Sequence, residues 1–509
     1  MSDFIKDQER FSEVISFIGK IIIENNQSIN DILTINGVNL WLVSSPEMAW
    51  RHLVNNVEAN SVSAKLKIII RPYYHQFKLK YNPIKIQLSS FTNQFSEPSK
   101  KLISLGFSPK MYSDVVEPVS KKFEDNNSYV LFNLFDGDNA TEARINRFQI
   151  QSVFENLIHR NKQKKTLFKK LRAAENLITK SDAYYNFIMS NCFGIDAFSI
   201  KNLFKLFFNS LAPSSLEYML QAEEILNQLR PVCIISPDTS DARCRVISLL
   251  AKKNNIPTYE IQFGLTGPEG IEWRFFVSSR VAVWGNQAKN ILISHGVPKS
   301  KIVVTGSPRH DDMIVSSQSA KDTQLESRKV KILFASTYTD PAHERYCPSK
   351  VILNMKKSVI DAVKLHDDIL LFIKSHPMED LKDIRTLLSF KDIEITLIEG
   401  REDIRDYIKK CDAFLSFGSS ATLDALIAGK KVGSLCFDGW KFSDEIIDNL
   451  PVTKLNSPKE VQRFINKLKQ ESNASDQSKK LKSIENLALA DGKSSARIYE
   501  DICKFIKNW

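Results

Sequence analysis

The sequence predicts two doubly wound α/β domains in tandem, with helical additions in the N-terminal half. Three observations carry this. Apolar runs of strand length recur at regular intervals beyond residue 329 (VKILFAST, ILLFIKSH, IEITLIE, AFLSFG, KVGSLCF and PVTKL), and helical stretches separate most of them. A second such series runs from Arg230 to Pro308. Between the two lies VSSQSAKDTQLESRK, residues 315–329, polar and turn-rich as a domain boundary should be. A chain of 509 residues is long enough to bury two full cores.

At the N-terminus, FSEVISFIGKIIIENN has the period of an amphipathic helix and is followed by a turn at Gly37. NLWLVSS and then MAWRHLVNNV read as strand and helix, the start of a βα unit, and LKIIIRPYYHQF reads as a further strand. Residues 73–125 mix aromatics, prolines and lysines without a period and predict no element. SYVLFNLFD is a strand running into Asp136-Gly137-Asp138. Two carboxylates at that spacing suit a divalent cation held against a diphosphate, but Asp-Gly is equally a turn dipeptide, and no metal is expected. From about 144 to 228 the pattern is helical, an insertion in a first domain spanning 1–315. Its stretch HRNKQKKTLFKKLR is basic without an acid, which suits an anionic lipid surface or a solvated helix face.

PVCIISPDTSDARCRVISLLAKKNNIPTYEIQFG reads strand, polar loop, helix, strand. Asp238 and Asp241 occupy the first strand-end loop, where a helix N-cap accounts for one of them. Gln262-Phe263-Gly264 closes the next strand, and GLTGPEG follows with Glu269. RVAVWG and KIVVTG are two more strands, the second leading into SPRHDDM. Gly306, Ser307 and Pro308 there would let the backbone approach a ligand closely. The second domain, 329–509, closes with helices around a Ser-rich break.

The stretch from Lys374 to Val432 is the most informative. His376-Pro377 and Gly418-Ser419-Ser420 fall where apolar strands run out, and ligands of open α/β sheets bind at the carboxyl ends of strands. A helix starting just after Gly-Ser-Ser points free N–H groups and a partial positive charge at that place, which suits a phosphate.

The blocks SDARCRVISLLAKKNNIPTYEIQFG, RVAVWGNQAKNILISHGVPKSKIVVTGSPRHDD, KSHP and DAFLSFGSSATLDALIAGKKV, over residues 230–440, resemble GT-B glycosyltransferases of bacterial surface-polysaccharide synthesis. Their order and spacing are more specific than any one motif. The nearest groups are CMP-sugar users (sialyl- and polysialyltransferases, β-linked 3-deoxy-octulosonic acid transferases) and the CDP-glycerol glycerophosphotransferases. The resemblance implies two Rossmann-like domains facing a cleft and a nucleotide-sugar donor, expected to be a CMP-sugar, used without a metal or other cofactor. His376 and Pro377 would meet the donor phosphate, with His376 as an imidazolium assisting departure of the leaving group. Ser419 and Ser420, after Gly418, would hold the same phosphate. Gly306 and Ser307 would line the cleft, and Asp424 would bind the donor ribose or sugar or simply favour its helix N-terminus. Gln262, Gly264, Glu269, Arg309 and His310 are candidates for substrate contact, with a solvated hinge the plain alternative for Arg309 and His310. Relatives commonly have Gln-His-Gly where this chain has Gln262-Phe263-Gly264, and Phe263 cannot take a proton. Asp241 and Asp238 are then the best-placed carboxylates for a base or nucleophile.

Formal net charge is +11, which favours anionic partners such as nucleotide phosphates, an acidic glycan or a lipid-linked acceptor, and a membrane surface. No basic-aromatic nucleic-acid module is present. The start MSDFIKDQERFSEV has no signal-type apolar core, no apolar run reaches the length of a membrane span, and the seven cysteines form no CxxC pair. The expectation is a cytoplasmic enzyme, peripheral on the inner membrane face, that moves an acidic sugar onto a surface glycan. The alternatives are a glycerophosphotransferase, a UDP-sugar transferase or epimerase, or a GT-B scaffold that binds without turnover.

Overall fold

The computed structural model describes residues 3–58, 100–106, 109–124, 128–135, 149–151, 161–190, 192–237, 240–265, 271–319, 329–338, 344, 347–379, 381–388, 394–400, 402–440, 450–470 and 477–509. The expected strand LKIIIRPYYHQF and the pair Asp136 and Asp138 lie outside them.

The first sheet is built from β1 (Lys100–Gly106), β2 (Tyr129–Phe135), β3 (Gln149–Gln151), β4 (Cys233–Ser236), β5 (Thr258–Ile261), β6 (Arg280–Val283) and β7 (Ile302–Val304). Their spatial order is β7-β6-β5-β4-β1-β2-β3, and every pairing is parallel. The second sheet holds β8 (Val330–Ala335), β9 (Ile369–Lys374), β10 (Ile395–Ile398), β11 (Ala413–Ser416), β12 (Lys431–Leu435) and β13 (Thr453–Leu455) in the order β10-β9-β8-β11-β12-β13, again all parallel. In both sheets the first strand lies inside and the chain reverses direction beside it. Each domain therefore has the doubly wound topology, with a crevice at its switch point, β1/β4 in one and β8/β11 in the other.

Strands covered on both faces need apolar side chains at every position, which is why these segments read as continuous apolar runs. Ile332, Phe334, Leu371 and Leu415 fill one face of the second sheet, while Leu333, Ala335 and Phe414 fill the other. On one face of the first sheet lies a helical layer: α1 (Asp3–Lys20), α2 (Leu40–Glu58), α3 (Asn161–Thr179) and α4 (Ala212–Leu229), which share a core with Ile103, Leu105 and Ile234. In α3, Leu167, Leu171, Ala174 and Ile178 are buried in that core, while Lys165, Lys169 and Arg172 are exposed. Leu167 and Leu171 of the basic stretch are thus committed to packing.

Two local expectations are corrected at the N-terminus. NLWLVSS is not a strand: Asn39 Oδ1 accepts from Leu42 N (2.9 Å), which caps a helix whose Leu40, Trp41, Val43, Met48 and Ala49 are buried. The helix expected over residues 11–26 ends at Lys20. Asn25 and Asn26 both take positive φ (49° and 59°) and turn Ile22–Glu24 back onto Gln27–Ser28 as a hairpin.

The last helix, α5 (Ser494–Asn508), leaves the second domain to which the sequence assigned it and packs on the first. Ile498 and Ile502 are fully buried among Leu102, Tyr259, Ile261 and Ala282. Asp501 accepts from Tyr259 Oη (2.8 Å) and pairs with Arg280 (2.6 Å). Asp311 caps the helix, accepting from Ser494 N (2.9 Å) and Ser495 N (2.8 Å). Gly306 has φ +80°, and a Cβ on it would lie 2.2 Å from Leu489 O and 2.4 Å from Ser494 Oγ. Its glycine admits the returning C-terminal segment, where close approach of a ligand was expected.

Candidate active site

Ion pairs join the two domains at the strand-end loops, Arg309 to Asp424 and Arg405 to Asp114. In the second domain β8 pairs in parallel with both β9 and β11, so the loops that follow all three strands share one edge. After β9 the chain turns through His376 and Pro377. Ser375 N and Oγ both donate to Ile398 O (3.1 and 3.2 Å), which ties the turn to the end of β10. Pro377 lies so close to Gly400 that a Cβ there would sit 2.7 Å from its Cα. The His376 ring stacks on Tyr338, with centroids 4.7 Å apart.

Burial, followed by the charges of Lys110 and Lys374, holds the His376 imidazole below its ordinary range. Its Nδ1 accepts from Met378 N at 3.1 Å. The ring is therefore neutral near pH 7 with its proton on Nε2, and it is a hydrogen-bond donor there. The imidazolium expected from the sequence is replaced by this neutral donor. Lys374 is buried at the end of β9, and burial, against the opposing charge of Glu402, lowers it to about 8.

After β11 comes Gly418, at φ +78°, then Ser419 at the N-cap of helix α6 (Ser420–Ile427). Ser416 Oγ bonds Thr422 Oγ1 (2.8 Å) and accepts from Gly418 N (3.3 Å), which fixes the turn from beneath. Ser419 does not cap the helix with its own hydroxyl. Thr422 N donates to Ser419 O (2.9 Å), so the exposed Ser419 Oγ and the N–H groups of Ser420 and Ala421 are what the start of α6 offers at the same edge as His376.

Behind these loops lies a buried ionic network drawn from both domains. Helix α7 (Pro308–Ser319) follows β7 and carries Arg309 and His310. Arg309 pairs with Asp424 of α6, and His310 Nε2 lies 3.0 Å from Asp424 Oδ1. Arg309 Nη1 also reaches Asp114 Oδ2 at 3.6 Å. Asp114 sits in a π-helical turn, Tyr112–Val116, in the first domain. Arg405, from the helix Ile404–Lys410, closes the network on Asp114 (2.7 Å) and Asp403 (2.6 Å). Burial alone would raise the Asp424 carboxyl, but Arg309, His310 and Arg405 outweigh it and hold it at about 2. Asp114 goes the other way, because burial outweighs Arg309 and Arg405 and raises it. Burial keeps His310 below its ordinary range, against its bond to Asp424, so the ring is neutral.

Several residues singled out in the sequence are otherwise engaged. Asp424 is fully buried as counter-ion to Arg309, so it neither reaches a ribose nor serves simply as an acid near a helix N-terminus. Arg309 and His310 are 3% and 0% exposed, neither a solvated hinge nor free to meet a substrate. Ser307 is fully buried, and its carbonyl accepts from His310 N. Gln262 spends its amide on Trp284 N (2.8 Å) and on Gly264 O (2.8 Å), so both residues are structural in this state. Asp241 is the N-cap of Ala242–Lys253 and is paired with Arg243 (2.7 Å), the structural role foreseen for one acid of that loop. Asp238 and Glu269 lie outside the described residues. Tyr338, Lys374, Asp114 and Arg405 escaped sequence reasoning. The one signal was Lys374, a cation closing an otherwise apolar strand, ILLFIK. Among the described residues no group of three or more His, Cys, Asp or Glu side chains could hold a metal ion, and no helix is long and apolar enough to cross a membrane.

Residues 287–504 match the family model of CDP-Glycerol:Poly(glycerophosphate) glycerophosphotransferase. The matched segment contains the Gly306 loop, the His-Pro and Gly-Ser-Ser turns and most of α5. Among solved structures, the chain is similar to UDP-GlcNAc 2-epimerase from Neisseria meningitidis bound to UDP-GlcNAc (19% identity, 79% of this chain and 100% of that one, TM-score 0.50). It is also similar to UDP-GlcNAc 2-epimerase from Methanocaldococcus jannaschii (12% identity, 79% and 99%, TM-score 0.51) and to the wall teichoic acid polymerase TagF (15% identity, 80% and 89%, TM-score 0.46). No curated protein matches. The fold is GT-B, as expected from the sequence. With the family match in its second half, the chain is a GT-B transferase.

Proposed function

We propose that this enzyme transfers glycerophosphate, or a closely similar polyol phosphate, from a CDP-activated donor to an anionic surface polymer, and that CMP is the leaving group. The observation that carries this reading is the glycerophosphotransferase match over the segment that builds the His-Pro and Gly-Ser-Ser edge. The acceptor hydroxyl attacks the distal phosphorus, the bond from that phosphorus to the bridging oxygen breaks, CMP departs with that oxygen, and the hydroxyl's proton passes to solvent or to the departing phosphate. Phosphoryl transfer depends mainly on positioning and on stabilising charge. His376 Nε2–H, the Ser419 and Ser420 hydroxyls, the start of α6 and the Lys374 ammonium are the groups that would take up the charge growing on CMP. No metal enters this scheme. The basic surface of α3 would face an acidic acceptor or the inner membrane leaflet, with the enzyme peripheral and cytoplasmic.

One observation favours a second reading. Phe263 stands where a glycerophosphotransferase would carry a basic histidine, so a CMP-sugar transferase with CMP as the same leaving group is the competing donor class. Turnover with CDP-glycerol, CMP-sialic acid, CMP-3-deoxy-octulosonic acid and UDP-GlcNAc, followed as nucleotide release in EDTA, separates the two. Release of CMP from CDP-glycerol is expected. Release only from a CMP-sugar selects the second reading, and turnover of UDP-GlcNAc alone rejects both.

A further inference from the structure

Beneath the His376 turn lies a buried ion pair outside the charge-stabilising groups named above. The side chains of Glu379 and Lys356 are 1% and 4% exposed. Glu379 Oε1 accepts from Lys356 Nζ (2.5 Å) and from Ser336 Oγ (2.7 Å). Its Oε2 accepts from His376 N (3.0 Å), and Glu379 N donates to His376 O (2.9 Å). Ser336 directly follows β8, His376 lies just past β9, and Lys356 lies in the helix between them, Ser349–Val363. One carboxylate therefore ties two neighbouring strand ends to their connecting helix.

Burying such a pair costs desolvation that its mutual attraction often only repays, and an apolar pair of similar volume is commonly as stable. Stability alone does not account for it here. Geometry does, because Glu379 holds the His376 peptide from both sides within the turn that brings Met378 N onto Nδ1. Tyr338, two residues after Ser336, supports the ring face. The carboxylate that fixes the turn thereby fixes which ring nitrogen carries the proton.

We propose that Glu379, charge-balanced by Lys356, is a positioning residue that sets the His376 turn and presents Nε2–H to the leaving phosphate of the donor. The proposal rests on the assignment of His376 to that phosphate. The test compares wild type with K356M/E379L, which removes both charges at similar volume, and with K356M/E379Q, whose amide can still accept from His376 N and donate to Ser336 Oγ. Nitrogen-15 shifts of the His376 ring report the tautomer, CMP release gives kcat and KM, and thermal unfolding reports the fold. K356M/E379L should keep a Tm close to wild type, lose the single Nε2–H signature, and lose about tenfold or more in kcat with a smaller change in KM. K356M/E379Q should recover most of both. Wild-type ring shifts and kcat in K356M/E379L would overturn the proposal. If that variant does not fold, E379D decides: its shorter carboxylate keeps the charge but cannot reach both Lys356 and His376 N, and unchanged shifts and kcat there overturn the proposal equally. Wild-type turnover by H376A would instead sink the assignment of His376, while the ring shifts would still report what Glu379 does.

Discussion

Replacing Asp424 with Ala should be among the most destabilising single changes in the second domain. The carboxylate is fully buried, pairs with Arg309 and bonds His310 Nε2 at 3.0 Å. Without it, Arg309 keeps only Asp114 at 3.6 Å, and the His310 ring, whose Nδ1 already has no hydrogen-bond partner, loses the bond at Nε2. Removing one member of a buried pair costs about 3–5 kcal/mol. A carboxyl held at about 2 instead of 3.8 gives a separate figure on the order of 2 kcal/mol at neutral pH. The two agree in order of magnitude and predict a fall in Tm on the order of 10 °C. The sign with pH follows from a depressed folded-state pKa. The Asp424 contribution is complete above 3.8 and is lost as pH falls through about 2. Scanning calorimetry of wild type and D424A should therefore show a constant gap from neutrality down to about pH 5, narrowing only below about pH 4. The double variant R309M/D424L should recover much of the loss, since it leaves no buried charge unpaired between the domains. A loss under about 1 kcal/mol in D424A would refute the network as an interdomain tie.

Three further outcomes follow. Gly306→Ala forces a Cβ to within 2.2 Å of Leu489 O at φ +80°, so it should loosen α5 and expose the C-terminus to limited proteolysis at a protease dose that leaves wild type intact. Ser419→Ala and Ser420→Ala should weaken CMP binding by roughly 2- to 10-fold each with Tm unchanged, because no hydrogen bond within the described residues uses those hydroxyls. Burial holds His310 neutral in the folded chain, so the unfolded chain takes up that proton first. Its contribution is complete above 6.5 and falls as pH drops below it, and H310Q should show a smaller loss of Tm than wild type between about pH 7.5 and 5.5.

The second domain was legible because parallel strands covered on both faces must be apolar throughout, and VKILFA, ILLFIK and AFLS announce themselves one by one. The two turns at its edge were legible for the same reason, since polar His-Pro and Gly-Ser-Ser stand out at the ends of apolar runs. What could not be read depends on partners far apart in the chain. Helix α5 is amphipathic in sequence, but its apolar face is completed by Tyr259 and its Asp501 by Arg280, more than 200 residues away. Arg309, His310 and Asp424 looked like ligand residues because they are polar and lie beside strand ends. Only the folded arrangement shows that they satisfy one another. At Leu40–Ala49 a buried helix was read as a strand, because a short apolar run does not distinguish the two and the deciding cap, Asn39, is a single residue.

In the proposed function, the edge formed by His376, Ser419 and Ser420 holds the phosphate of a cytidine nucleotide without a metal. A thermal-shift titration with CMP, CDP, UDP and GDP, in magnesium and in EDTA, tests it most directly, with wild type beside H376A. A ligand bound only by the folded state at a hundredfold excess over its Kd adds about 2.7 kcal/mol. CMP and CDP should raise Tm equally well in EDTA, and H376A should lose most of that response. Stabilisation by UDP alone, a requirement for magnesium, or a full response in H376A would contradict it.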